Sequence, residues 1–448
     1  MEEWELRRRL SQRWEQLVEE MLKGPRPRTI DEIEDAALRL RDQVGEAVAQ
    51  ELSDAADQGA RSLEETDKPP ACAPVPPNKV SCACGRWAWS KGGRDRYVVT
   101  MAGVLRQKRA YFHCSHCRTG MFLSGGVVER ADAAFPSLTH RVQHNVAKVC
   151  LLLPFGKAVD LLSDLAQVSV SAKQAQRVVE RAGVLAGEWL DQRREAALSD
   201  TLSTTERPHT LYLEADGVHT PLTDGWRETK VGLARAVTAN GRPDGPTRYV
   251  SHLGNAEEFG EHWYALAVSA GYFHAQRLAV LGDGAAWIWN LCAIHFPDSI
   301  EILDWFHATE HLWEAGRAAY PTDEGACRTW VKETEGHLYH GRFEQVLTAL
   351  DQLGRQQPQA GETVRETLVY FQNNRRRMDY PSYREQGLSI GSGAAESGCK
   401  QVVTQRLKGP GMRWKEIGAQ AVTQLRCFFL SGQWNPFTQF WYTKAAQA

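Results

Sequence analysis

The stretch TLYLEADGVHTPL, Thr210–Leu222, is where the hydrophobic period of the chain changes from 3.6 to 2. Two more runs of the same kind follow, WRETKVGLARAV (Trp226–Val237) and TRYVSHLG (Thr247–Gly254), with Gly, Asp and Pro turn residues between them. Three such runs in succession predict an antiparallel meander. Beyond them NAEEFGEHWYALAVSAG (Asn255–Gly271) reads as a helix, RLAVLG (Arg277–Gly282) as a buried strand, AAWIWNLCAIHF (Ala285–Phe296) as a helix and SIEILDWFH (Ser299–His307) as another strand. A long helical stretch comes next.

The element types follow from periodicity; their order resembles that of a ribonuclease H-like α/β fold. On that topology the acidic residues acquire a pattern. Asp216 ends the first strand run in LEADGV and Asp283 ends the next buried strand in LAVLGDGA, each followed by a Gly and a sharp turn. If the first and fourth strands are neighbours, as this fold requires, the two carboxylates share one opening. The third acid is expected in GSGAAESG, where Glu396 stands alone among Gly, Ser and Ala. Small residues there would let a metal ion and a phosphate come close to the helix. The plainer alternative is a loop and helix N-cap, with Ser392 or Gly393 capping and Glu396 in the first turn. Three carboxylates holding two Mg²⁺ or Mn²⁺ ions suit in-line phosphodiester displacement. Glu214, on the same strand face as Asp216, and Asp224 and Glu385 are rival acids.

Upstream, SCACG and YFHCSHC flank a Gly-containing hairpin, so Cys82, Cys84, Cys114 and Cys117 are expected to bind a structural Zn²⁺ as a ribbon spanning 80–130. The first pair is C-x-C, one residue short of the usual knuckle, which leaves Cys72, His113 and His116 as substitutes for Cys82. Between 136 and 200, a helix, the VSVS turn and a second helix opening at Ser171 describe a helix-turn-helix-like segment. Lys173, Gln174, Gln176 and Arg177 on that second helix are candidates for DNA contact. Residues 1–65 read as a charged helical arm and 66–79 as a Pro-rich linker.

Composition adds limits. The 448 residues with 42% hydrophobic content are enough for about three domains with real cores. A formal net charge of −2 does not announce a nucleic-acid binder, although Arg375–Arg377 and Gln405–Lys415 concentrate basic residues. If Ala394–Leu407 forms one helix, Lys400 shares a face with Glu396, and Arg406 and Lys408 continue the basic track toward a DNA backbone. Ten Cys in so long a chain do not make a secreted disulfide framework. The charged start and the lack of a long apolar run lead to the expectation of a cytoplasmic protein with no membrane span.

Taken in order, EADGV, GDGAAWIWN, LDWFH, GSGAAESGCKQ and KGPGMRW resemble an insertion-sequence transposase of the ISKra type. LDWFH, with Asp304 and His307, is similar to the C/D-x-x-H signature of Mutator-like relatives. The resemblance runs from Cys82 to Trp434 and leaves the N-terminal arm outside. It implies a DDE enzyme that cuts element ends and joins them to target DNA. It further implies a catalytic domain from 208–307 and 388–434, interrupted by an all-helical insertion at 308–387, with Asp304 and His307 supporting the site. The implied partners are double-stranded DNA, as terminal inverted repeats and target, and further copies of the chain, in a bacterial cell near the nucleoid. Alternatives in the residues themselves are a nuclease of the same fold, or a DNA-binding protein with an inactive catalytic domain.

Overall fold

The structure is a computed structural model that describes residues 3–24, 30–66, 78–124, 127–130 and 137–447. Cys72 and most of the Pro-rich stretch lie outside them. The chain divides into two compact units, Met1–Val178 and Val179–Ala448.

In the first unit, α1 (Glu3–Lys23) and α2 (Ile30–Thr66) form a helical hairpin that buries Leu17. A five-stranded antiparallel sheet follows in sequential order: β1 (Lys79–Ser81), β2 (Trp87–Thr100), β3 (Gly103–His113), β4 (Gly120–Ser124) and β5 (Val127–Arg130). β4 covers only the last residues of β3, from Ala110 on. Helix α2 meets the bare part of that edge through Gln50, whose amide accepts from Arg106 N at 2.8 Å and donates to Arg106 O at 2.9 Å. One glutamine thus satisfies both backbone groups that a neighbouring strand would have paired. The arm is therefore docked on the ribbon sheet within its own chain.

Next come α3 (His140–Cys150), α4 (Phe155–Ala166) and α5 (Ala172–Leu198), the last running across the boundary between the units. α4 stops at Gln167, which takes a left-handed conformation with φ 53° while its N–H and that of Val168 close back on the last turn. Ser171 Oγ accepts from Gln174 N at 3.2 Å and Gln174 Oε1 accepts from Ser171 N at 2.9 Å, a reciprocal cap that starts α5.

The second unit is built on a five-stranded sheet of order β10-β9-β6-β7-β8. β6 (Thr210–Leu222), β7 (Gly225–Val237) and β8 (Arg248–His252) are the antiparallel meander, while β9 (Arg277–Gly282) and β10 (Ile300–Leu303) run parallel to β6. The crossovers are α6 (Ala256–Ser269) and α7 (Ala286–His295). Continuous apolar runs such as LAVLG in β9 suit a parallel strand covered on both faces.

The strand expected to reach His307 ends at Leu303. Asp304 instead caps α8 (Trp305–Ala319), its carboxylate accepting from His307 N at 2.8 Å. α9 (Glu324–Tyr339), α10 (Phe343–Gln356), α11 (Gly361–Asn374) and α12 (Tyr380–Glu385) complete a wholly helical segment. Val331, Leu338, Val346, Leu350 and Phe371 of this segment belong to the same buried cluster as Leu213, Val280 and Ile302 of the sheet. The helices thus share the core of the sheet rather than making a separate domain. The chain returns through α13 (Gly393–Cys399), a π-helical turn at Lys400–Thr404, α14 (Gln405–Leu407), α15 (Glu416–Leu430) and α16 (Trp434–Gln447). The single helix expected over Ala394–Leu407 is helical throughout, but a π turn divides it.

Candidate active site and cysteine centre

The pairing of β6 with β9 places Glu214 opposite Leu281. Extending that register by two residues sets Asp216 beside Asp283, on neighbouring parallel strands about 4.8 Å apart and on the same face. Asp283 follows the carboxyl end of β9, where ligands bind to open α/β sheets. Asp216, expected to end its strand, instead sits inside β6, paired with Val231, because β6 runs on along β7 to Leu222 beyond its last pair with β9. Each Asp also accepts a local N–H: Gly217 N, within β6, at 2.7 Å from Asp216 Oδ1, and Ala285 N, in the turn after β9, at 2.9 Å from Asp283 Oδ1. Burial, and then the charge of Asp283, raise the pKa of Asp216; the Cys399 thiol, the Gly217 N–H and His307 act the other way.

Two buried acids hold α13 against this sheet end. Glu214 Oε2 accepts from Ala395 N at 3.0 Å, while its Oε1 meets Arg235 at 3.2 Å. Burial still raises the Glu214 pKa against the pull of Arg235. Asp304 is buried too; one oxygen caps α8 and the other accepts from Ser392 N. Immediately after those anchored residues, Glu396 is exposed and paired with Lys400 at 2.5 Å, which lowers its pKa. His307, 42% exposed on the first turn of α8, lies 3.8 Å from Glu310 and contributes positive potential to both Asp216 and Glu396.

The small residues around Glu396 serve packing. A Cβ on Gly391 would lie 2.9 Å from the Phe306 ring, and one on Gly398 would lie 3.1 Å from Tyr249, whereas Gly393 has open space around it. Two of the glycines therefore let α13 sit close on the sheet and on α8. This corrects the expectation that all the missing bulk makes room for a ligand.

Tyr370 of α11 was not anticipated. Its hydroxyl donates to the Asp283 carbonyl at 2.6 Å, and its ring fills the space beside Gly284, which has φ +105°. The Asp283 turn is therefore supported by the helical segment. No local motif marks Tyr370, since its neighbour is fixed only by the fold. Cys399 was missed for the same reason. The rival acids are elsewhere engaged or placed: Asp224 pairs with Arg227 at 2.5 Å, and Glu385 is exposed at the end of α12.

The basic candidates divide. Arg406 is 1% exposed and lies against the Trp414 ring at 4.9 Å, so it is a packed residue and not a phosphate contact. Lys408 is half-buried, 5.9 Å from the centre of the exposed Trp226 ring. Gln174 is used in the α5 cap and is not available to read bases, whereas Lys173 and Arg177 are exposed one turn apart.

In the first unit, Cys82, Cys84, Cys114 and Cys117 bring their sulfurs within 4.8 Å of one another. Two turns present them. Cys82 N donates to Arg86 O with Gly85 at φ 78°, and Cys114 N donates to Thr119 O with Arg118 at φ 57°. The Cys82–Cys117 and Cys84–Cys114 separations are 3.5 and 3.6 Å. Four thiolates about 2.3 Å from a tetrahedral centre stand about 3.8 Å apart, so the set fits Zn²⁺. The short C-x-C spacing still delivers Cys82, and neither His113 nor His116 is in the group. Hydrogen bonding to the Thr119 side chain and backbone brings the Cys117 thiol down to about 6, toward the thiolate that a metal requires, while Cys84 in the same group is pushed up to about 12. Among the described residues, this is the only cluster of three or more His, Cys, Asp or Glu ligand atoms so closely grouped. The carboxylates of Asp216, Asp283 and Glu396 are not drawn together to that degree. No helix is long and apolar enough to cross a membrane among the described residues.

The model of the Uncharacterised protein family (UPF0236) matches residues 85–438, more than three quarters of the chain, and the chain belongs to that family. No curated protein matches it.

Proposed function

We propose that this UPF0236 member is a DDE transposase that cuts transposon ends and joins them to target DNA by metal-dependent phosphoryl transfer. The observation that carries the reading is the placement of Asp216, where β6 passes the end of its pairing with β9, beside Asp283, just past the carboxyl end of β9, next to a helix that bears Glu396. The strand order, an antiparallel β6–β7–β8 meander with β9 and β10 added in parallel, supports a ribonuclease H-like assignment. So does the family, which is associated with transposase-like insertion-sequence proteins. The finer likeness to the ISKra type rests on the motif order from EADGV to KGPGMRW.

The donor set fits a hard divalent cation. Burial first, and then the like charge of Asp283 beside it, raise the Asp216 pKa, a cost that a cation would relieve. Asp216, Asp283 and Glu396 would hold Mg²⁺ or Mn²⁺, which supply activation of the attacking hydroxyl and charge neutralisation at the leaving oxygen. Glu214 and Asp304 position α13, and Tyr370 steadies the Asp283 turn. Lys400 stands beside Glu396 as a cation for a phosphate. Double-stranded DNA ends and a second copy of the chain are the partners that this reaction requires.

The test is cleavage and joining of duplexes carrying the gene's own flanking sequence, with Mg²⁺ or Mn²⁺. Wild type should nick and join; Asp216→Asn, Asp283→Asn and Glu396→Gln should lose roughly a thousandfold or more in rate while binding the duplex normally. Hydrolysis without joining would assign a nuclease. Undiminished cleavage by the Glu396 variant would remove the site as described.

A further inference from the structure

The ribbon sheet has two unlike faces. Val80, Ala88, Phe112 and Met121 form its small core with Cys82 and Cys114. Trp87 and Trp89 alternate with the fully buried Ala88 and so lie on the other face, where they are 47% and 50% exposed. Register puts Lys79 opposite Trp89 on one side and His113 opposite it on the other; Tyr111 and Phe122 continue the same face, their rings 5.2 Å apart. Two half-exposed indoles on one face of so small a sheet form a contiguous exposed aromatic patch.

Cations lie over these rings. Lys79 Nζ is 4.1 Å from the centre of Trp87 and 5.9 Å from that of Trp89, and the Arg94 guanidinium is 3.7 Å from that of Tyr111. Residues 78–124 hold nine Lys and Arg against one acidic residue, Asp95, in a chain whose net charge is −2. The whole-chain balance hides a strongly basic sheet with an aromatic face, the pairing that binds a polyanion with π-faces. Spacing selects its form. Alternate residues of a strand stand about 6.7 Å apart, roughly twice the 3.4 Å rise of stacked bases. Successive bases can cover both indoles only when unstacked, and a duplex keeps its base faces hidden.

We propose that this face binds single-stranded DNA, with unpaired bases stacked on Trp87 and Trp89 and phosphates met by Lys79 and Arg94. The inference rests on the proposed DNA function for the choice of strand, and on its own residues for the rest. An unpaired strand at a cut or melted element end is the form of DNA it would hold.

The test is fluorescence anisotropy with the full-length, zinc-loaded chain and three labelled probes of equal length: oligo-dT, oligo-U and a blunt duplex. Trp87→Ala and Trp89→Ala should each weaken oligo-dT binding roughly tenfold, with Trp→Phe at the same positions restoring most of it. Lys79→Ala should flatten the salt dependence by about 0.7 of a slope unit. Because both indoles are exposed, zinc content and the melting transition should stay at wild-type values. Oligo-U bound with the same tryptophan dependence would support the stacking face and extend it to either sugar. Wild-type oligo-dT affinity in the double Ala variant would overturn the proposal, as would equal losses on the duplex or an inability of the wild type to bind any probe. Tryptophan-dependent binding by a protein that cuts nothing would keep this inference and remove the transposase reading. Cleavage by a protein whose oligo-dT binding ignores both tryptophans would do the opposite.

Discussion

The buried carboxylate of Glu214 accepts the backbone N–H of Ala395 at 3.0 Å. Strand β6 therefore carries Asp216 and also sets where the next residue after Ala395, the exposed Glu396, can stand. Replacing Glu214 with Ala leaves that N–H and the Arg235 guanidinium without the acceptor, at a cost of about 2–3 kcal/mol. Glu214→Gln keeps an acceptor and should cost about 1 kcal/mol. Urea unfolding measures both, and DNA cleavage should follow the same order with duplex affinity unchanged. Equal effects of Gln and Ala would mean that the Ala395 bond does not position α13.

The glycines flanking Glu396 should respond in opposite directions. Gly398 lies against Tyr249, so Gly398→Val should cost about 2–3 kcal/mol through overpacking and lower the cleavage rate as α13 lifts from the sheet. Gly393 faces open space, and Gly393→Ala should leave cleavage intact and stabilise by up to about 1 kcal/mol. A cleavage defect in Gly393→Ala as deep as that in Gly398→Val would return the small residues to a ligand-access role.

Asp216 has a raised pKa, through burial and the charge of Asp283. The folded, metal-free protein thus keeps this proton to higher pH than the unfolded chain, and loses stability as pH rises from the ordinary aspartate range through the raised value. Asp216→Asn removes that loss. The variant should melt above the metal-free wild type at neutral pH, with the advantage shrinking as pH falls toward about 4. Mg²⁺ should raise the melting temperature of wild type but not of the variant. A metal-free variant less stable than wild type at neutral pH would contradict the electrostatic account.

Arg406 and Lys408 are two residues apart and should behave differently. Arg406→Ala empties a buried place against Trp414 and should destabilise by about 2–4 kcal/mol. Lys408→Ala should stay within about 0.5 kcal/mol of wild type in stability while reducing the salt slope of duplex binding by about one unit. Arg406→Ala folding as stably as wild type would show that its burial is incidental.

The cysteine centre should hold one Zn²⁺ per chain, measured by elemental analysis after gel filtration. Cys82→Ser and Cys114→Ser should each lose it, and Cys72→Ser should not. Retention of zinc by Cys82→Ser would place the fourth ligand elsewhere.

Much of the second unit can be read from its local pattern. The strand character of Thr210–Leu222, the Gly turn after Asp283 and the uninterrupted apolar run in Arg277–Gly282 are each written within a few residues, whereas the same Asp-Gly pair at Asp216 makes no turn because β7 pairs with β6 on through Leu222. Hydrophobic period and turn chemistry act over just that range. The Cys82/Cys84 and Cys114/Cys117 pairs are legible for a similar reason, since each sits on one turn.

What each neighbouring group is for follows from packing. Asp304 and Arg406 read in sequence as a site-supporting acid and a DNA-backbone contact, and are buried because Ser392 and Trp414 pack on them, a partnership that neither residue's own motif states. The aromatic face of the ribbon depends on register, which sets Lys79 beside Trp89 and Trp89 beside His113. The elements and the residues able to do chemistry are readable from the chain alone, because backbone preference and side-chain type are local. Which acid meets the opening and which one anchors a helix was decided by packing, because burial and partnership exist only between segments far apart in the chain.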